Sequence, residues 1–154
     1  MGTINWNRVL LGGIVAGVII DVVEWLLHGV ILGPQWRQAM RELGKPLVES
    51  PENVLFFIML GFAYGIAAIG TYAAIRPRFG AGMTTALYAG LGVWFLGYCL
   101  PTLAWFPMML FPRRLLVTAM LVGLIEVLAA TVAGAWLYQE EPAPGAEAAA
   151  RRAA

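Results

Sequence analysis

Three long stretches of this chain carry no charged side chain at all: residues 9–20, 53–75 and 79–112. A helix needs about 20 mostly apolar residues to cross the hydrocarbon core of a bilayer. Inside that core the backbone must satisfy its own hydrogen bonds, which leaves helices or closed barrels. The apolar runs here are too long for barrel strands. The expectation is an all-α integral membrane four-helix bundle with spans at 9–32, 54–75, 83–103 and 115–138. The 154 residues leave room for little else, so residues 1–138 are read as one membrane domain. The segment 139–154 is rich in Ala, Glu and Pro and is expected to be a disordered tail.

Between spans 1 and 2, residues 34–43 read as a short amphipathic helix. Trp36, Ala39, Met40 and Leu43 fall on one face, and Gln35, Arg37, Gln38, Arg41 and Glu42 fill the rest. Pro34 suits a first helical turn, and Gly44 suits the residue just past the end. Two readings fit: a helix lying on the headgroups, or a lid over the end of span 1. Ser50-Pro51-Glu52 has the order of an N-cap, a first-turn proline and a first-turn acid. Arg76-Pro77-Arg78-Phe79-Gly80 reads as a tight turn, Pro101 as the kink or end of span 3, and 102–112 as an uncharged aromatic connector. Trp136 and Tyr138 read as an interfacial aromatic belt.

Small residues recur along every span. Gly12, Gly13 and Gly17, then Gly61 and Gly65, then Gly82, Ala86 and Gly90, then Gly123, Ala130 and Gly134 are spaced for close backbone contact. These seams suggest tight packing and leave a homodimer or a larger membrane complex open. Net charge is +1, so no basic field points to nucleic acid. Cys99 is the only cysteine, which excludes an intrachain disulfide and a thiolate metal cluster.

The chemistry lies where hydrocarbon is expected. Asp21, Glu24 and His28 interrupt span 1 at steps of three and four, so they share a stripe of one helix. Glu126 is the only charge within span 4, at a depth matching Asp21. If spans 1 and 4 are neighbours, three carboxyls converge near the midplane. An ionisable residue at that depth costs about 3 kcal/mol on insertion scales. No Lys or Arg lies inside a span to offset it. The cluster is therefore expected to hold shared protons, an imidazolium at His28, or a bound cation.

Three functions compete. The first is relay or transport of protons, a small cation or a small solute through Asp21, Glu24, His28 and Glu126, with Tyr64, Tyr72, Tyr88 and Tyr98 as supporting polar groups. The second is a non-catalytic accessory or scaffold subunit whose polar centre only glues helices together. The third is an intramembrane divalent-metal site built from the same four residues, for Zn, Mn or Fe. No cofactor is required by the first two. Conventional catalysis has little support: GxSxG, HExxH and phosphate-loop motifs are absent, and Ser50, the one serine, reads as a cap.

Ile4-Asn5-Trp6 and Arg8-Val9-Leu10-Leu11-Gly12-Gly13, followed by Gly17, Glu24, Gly29-Val30 and Trp36, resemble the opening of small bacterial four-helix membrane proteins of a domain-of-unknown-function type. The resemblance covers mainly the first 45 residues. It implies a bacterial inner-membrane protein and supplies no activity. Positive residues divide five and five between the two sides, Arg8, Arg76, Arg78, Arg151 and Arg152 against Arg37, Arg41, Lys45, Arg113 and Arg114. Arg76 and Arg78 sit in a very short loop, which favours both ends in the cytoplasm.

Overall fold

The computed structural model describes residues 3–48 and 50–140. Most of the tail expected at 139–154 therefore lies outside the described residues. The chain is all-α. Four helices are long and apolar enough to cross a membrane: Trp6–Ile31, Pro51–Phe79, Met83–Trp105 and Arg113–Ala135. They pack as a four-helix bundle of a multi-pass membrane protein.

Span 1 is α1 (Trp6–Glu24) followed by a seven-residue π-helical end, Trp25–Ile31. Asn5 caps it, accepting from the Arg8 N–H at 3.1 Å. A short helix, α2 (Gly33–Glu42), turns back from its end. Gly44 closes α2 with φ of 70°, its N–H on the Arg41 carbonyl and that of Lys45 on the Met40 carbonyl, as a Schellman ending requires. Span 2 is α3 (Pro51–Phe79), and Ser50 caps it by accepting from the Asn53 N–H at 3.2 Å. Span 3 is α4 (Met83–Trp94), a π-helical turn Phe95–Cys99, and α5 (Leu100–Trp105). Span 4 is α6 (Arg113–Ala135).

Pro77 departs from expectation. The helix of span 2 runs through Pro77 and stops only at Gly80, whose φ is 85°. The expected turn at 76–80 is thus the last turn of α3. Pro77 is near enough to the end that the hydrogen bond it forfeits is a small loss. Span 3 likewise passes Pro101. Proline has no N–H for the carbonyl four residues earlier, here that of Gly97. The Tyr64 hydroxyl donates to that oxygen instead, at 3.1 Å.

The small-residue seams close within the chain. A Cβ on Gly12 would lie 2.5 Å from the Gly134 carbonyl oxygen, and the reverse is equally tight. A Cβ on Gly65 would collide with the backbone of Gly13 and Gly17. Spans 1, 2 and 4 therefore meet backbone to backbone. Around this seam lie Val9, Ala16, Ile20, Ile69, Ala73, Ala86, Ala89 and Ala130. A seam used up in this way offers nothing to a second copy, so the small residues are no argument for a dimer. Tyr138 is also buried, edge-on to Tyr72, with the Arg76 guanidinium over its ring. Only Trp136 of the expected aromatic belt is exposed. The other half of the bundle is looser: every residue of 51–60 is exposed.

Candidate functional site

The polar centre is built layer by layer from helix pairs. Asp21 faces span 2 at Gly61, where a Cβ would overlap its carboxyl. Only glycine leaves space there for the acid. One turn on, Glu24 faces the bundle interior. The Tyr98 hydroxyl, reaching from the π-helical turn of span 3, donates to Glu24 Oε1 at 3.2 Å. The Tyr98 ring lies over Gly123 of α6, whose Cβ would come within 2.8 Å of it. Tyr64 stands beside Tyr98 with ring centroids 5.1 Å apart.

Glu126 sits one turn beyond Gly123 and is 3% exposed. It lies in the electrostatic field of Glu24, Asp21 and Tyr98. Both its carboxyl oxygens, and Oδ2 of Asp21, are buried without a hydrogen-bond partner among the described residues. A buried carboxyl oxygen without a partner forfeits about 1–3 kcal/mol. Spans 1 and 4 thus bring Glu24 and Asp21 within electrostatic reach of Glu126, each carboxyl turned to its own neighbour.

From Glu24 the polar line runs outward. His28 Nε2 lies 3.3 Å from Glu24 Oε2. On the other side of the ring, Trp36 of α2 donates its indole N–H to His28 Nδ1 at 2.8 Å. The two rings are 5.6 Å apart, and Phe111 of the connector lies edge-on to Trp36 at 5.3 Å. Trp36 also packs on Leu27, Leu32 and Leu115. Helix α2 is therefore folded onto the His28 end of span 1. The structure sets Tyr98, Glu24, His28 and Trp36 in one polar line from the bundle centre to α2, with hydrogen bonds at its two ends and a 3.3 Å Glu24–His28 contact between them.

Of the four tyrosines singled out from the sequence, only Tyr64 and Tyr98 reach this site. Tyr72 lies towards the other end of the bundle, accepting from the Gly82 N–H at 3.2 Å. Tyr88 is exposed and packs edge-on against Phe79. Sequence reasoning placed Trp36 on an apolar face and missed its bond to His28. The signal available was its position just past the Gly33-Pro34 turn, which folds a following helix back.

The expected metal site does not form. Among the described residues no three His, Cys, Asp or Glu side chains are grouped to hold an ion. The physical reason is in the geometry. Both His28 nitrogens are engaged, one by Trp36 and one facing Glu24. Asp21 is turned to Gly61 and Glu126 is tucked beside Tyr98, so the four donors do not share a centre.

Three comparisons with known proteins return nothing: no protein-family model, no curated protein and no solved structure matches the chain.

Proposed function

We propose that this protein passes protons through the membrane, or part of the way across it, along Asp21, Glu126, Tyr98, Glu24 and His28. The observation that carries the reading is the polar line Tyr98–Glu24–His28–Trp36, beginning beside a buried carboxyl with no hydrogen-bond partner among the described residues. Intramembrane chains of acids and histidine are the usual material of proton relays. Each group in the line can both give up and take up a proton except Trp36, whose indole only donates a hydrogen bond. The line is partly open at Glu24 and His28 and closed at Glu126. That gradient suits exchange with one face and storage at the centre. We place the protein in a bacterial inner membrane with both ends cytoplasmic, on the resemblance of its first 45 residues and on Arg76 and Arg78.

The test is proton flux into vesicles carrying the purified protein under an imposed pH gradient. Glu24→Gln keeps the side-chain shape and removes the exchangeable carboxyl. It should abolish flux above the level of empty vesicles. Equal flux in the variant and the parent would overturn the reading. One observation favours an accessory or scaffold subunit instead: Asp21 on Gly61 and Tyr98 on Gly123 are fitted flush, as polar glue would be. On that reading Glu24→Gln leaves the fold intact and there is no flux to lose.

A further inference from the structure

The indole N–H of Trp36 points at one nitrogen of the only histidine in the chain, and its bond fixes more than a distance. An indole N–H is a donor and nothing else, so Nδ1 of His28 must present a lone pair to it. A neutral imidazole has one N–H, which then falls on Nε2. Nε2 is the nitrogen that faces Glu24, at 3.3 Å. Which nitrogen carries the proton is commonly set by the bond the other nitrogen makes.

We propose that Trp36 is a positioning residue of the proton path: it holds His28 in the form whose proton sits on Nε2, aimed at Glu24. The proposal rests on the proton-path reading. The surroundings leave the role to Trp36. On its own helix His28 faces Glu24. From α2 it meets Trp36, while the Arg37 guanidinium and the His28 carbonyl both lie beside Gly33. The side chains of α6 in the neighbouring cluster, Leu115, Ala119 and Val122, are apolar.

The step balances as follows. A proton enters at Nδ1 from the α2 side, displacing the Trp36 bond and making an imidazolium. The Nε2 proton passes to Glu24 Oε2. The ring is neutral again but carries its proton on Nδ1, where it opposes the Trp36 N–H. The Trp36 bond re-forms only when the ring regains the Nε2–H form, by exchange through water that takes the proton off Nδ1 and puts one on Nε2. Trp36 thereby resets the relay after each transfer.

Because His28 is the sole histidine, a preparation made without a polyhistidine tag gives one imidazole signal in nitrogen-15 NMR. In lipid nanodiscs the full chain should show the Nε2–H tautomer in large excess. Trp36→Phe should move the tautomer ratio towards Nδ1–H by roughly fivefold, the worth of one net hydrogen bond. If Trp36→Phe fails to fold, the benzothiophene analogue of tryptophan at position 36 keeps the ring and removes the N–H. Its tautomer ratio should shift by the same factor. An Nδ1–H form in the parent protein, or an unchanged ratio in the variants, would overturn the proposal. The tautomer is read without any flux. A locked tautomer with no proton flux would therefore sink the path and not the bond, while flux with an unlocked tautomer would sink the positioning role alone.

Discussion

The hydroxyl of Tyr98 in span 3 donates to the carboxyl of Glu24 in span 1 across the bundle, 74 positions apart in the chain. Neither residue has a reason in its own helix to point at the other. The π-helical turn Phe95–Cys99 carries Tyr98 to that place, and the glycine at 123 makes room for its ring. Tyr98→Phe keeps the ring and removes the bond. Hydrogen bonds to charged groups are worth about 1.5–3 kcal/mol, so proton flux should fall by roughly tenfold or more. Stopped-flow flux in vesicles measures this, with circular dichroism to show an intact fold.

Glu126 is expected to cost stability. Its carboxyl is buried, and neither oxygen has a hydrogen-bond partner among the described residues. Glu126→Leu should raise unfolding free energy in detergent by about 1–3 kcal/mol, the penalty of leaving such a group unmade, and should remove flux. A variant less stable than the parent would show that Glu126 has partners in the membrane that hold the helices together.

The glycine seams make a graded prediction. Gly12→Ala and Gly134→Ala push a methyl against a facing carbonyl, and overpacking of this kind typically costs about 1–3 kcal/mol. Gly92→Ala meets nothing within 4 Å. It should be neutral or stabilise by up to about 1 kcal/mol through helix propensity. Unfolding titrations on the three variants compare them directly. A large loss in Gly92→Ala would mean that a surface exposed here is covered in the membrane.

Pro101→Ala restores an N–H that can compete with Tyr64 for the Gly97 carbonyl. The π-helical turn should tighten towards ordinary α-helix, and Tyr98 should lose its aim at Glu24. Flux is then expected to drop while thermal stability stays level or rises. A fall in both together would make the proline a packing element.

Chelation should change nothing. With both His28 nitrogens engaged and the carboxyls turned to different neighbours, treatment with a strong chelator should leave melting temperature and flux unaltered. Loss of either on metal removal, with recovery on adding back one ion, would restore the metal reading.

Much of the architecture was legible because hydrocarbon imposes a simple rule on sequence. Long apolar runs with few charges marked all four spans, and Ser50 and Gly44 marked a start and an end through their own side-chain and backbone chemistry. Spacing and depth were enough to bring Asp21, Glu24 and Glu126 together, since both depend only on helical rise. Pro77 was misjudged for a local reason: it read as part of a turn, yet a proline near a helix end disturbs little. Tyr72 and Tyr88 resembled Tyr98 in the sequence because periodicity gives no sign of which helix stands opposite. The Trp36–His28 bond was hidden for another reason. It depends on the angle at which α2 folds back, and the Gly33-Pro34 turn implies that it does so without fixing the angle.

The two ends of the bundle differ in what could give way. Near the chain ends, helix backbones touch at glycines and cannot slide without collision. On the α2 side, residues 51–60 stand clear of their neighbours, and α2 is pinned to the bundle largely through one tryptophan. Stiffness is thus graded along the membrane normal, with a rigid floor and a compliant rim. On the proposed relay any change of shape is carried by the rim, and the buried carboxyls lie at the boundary between the two.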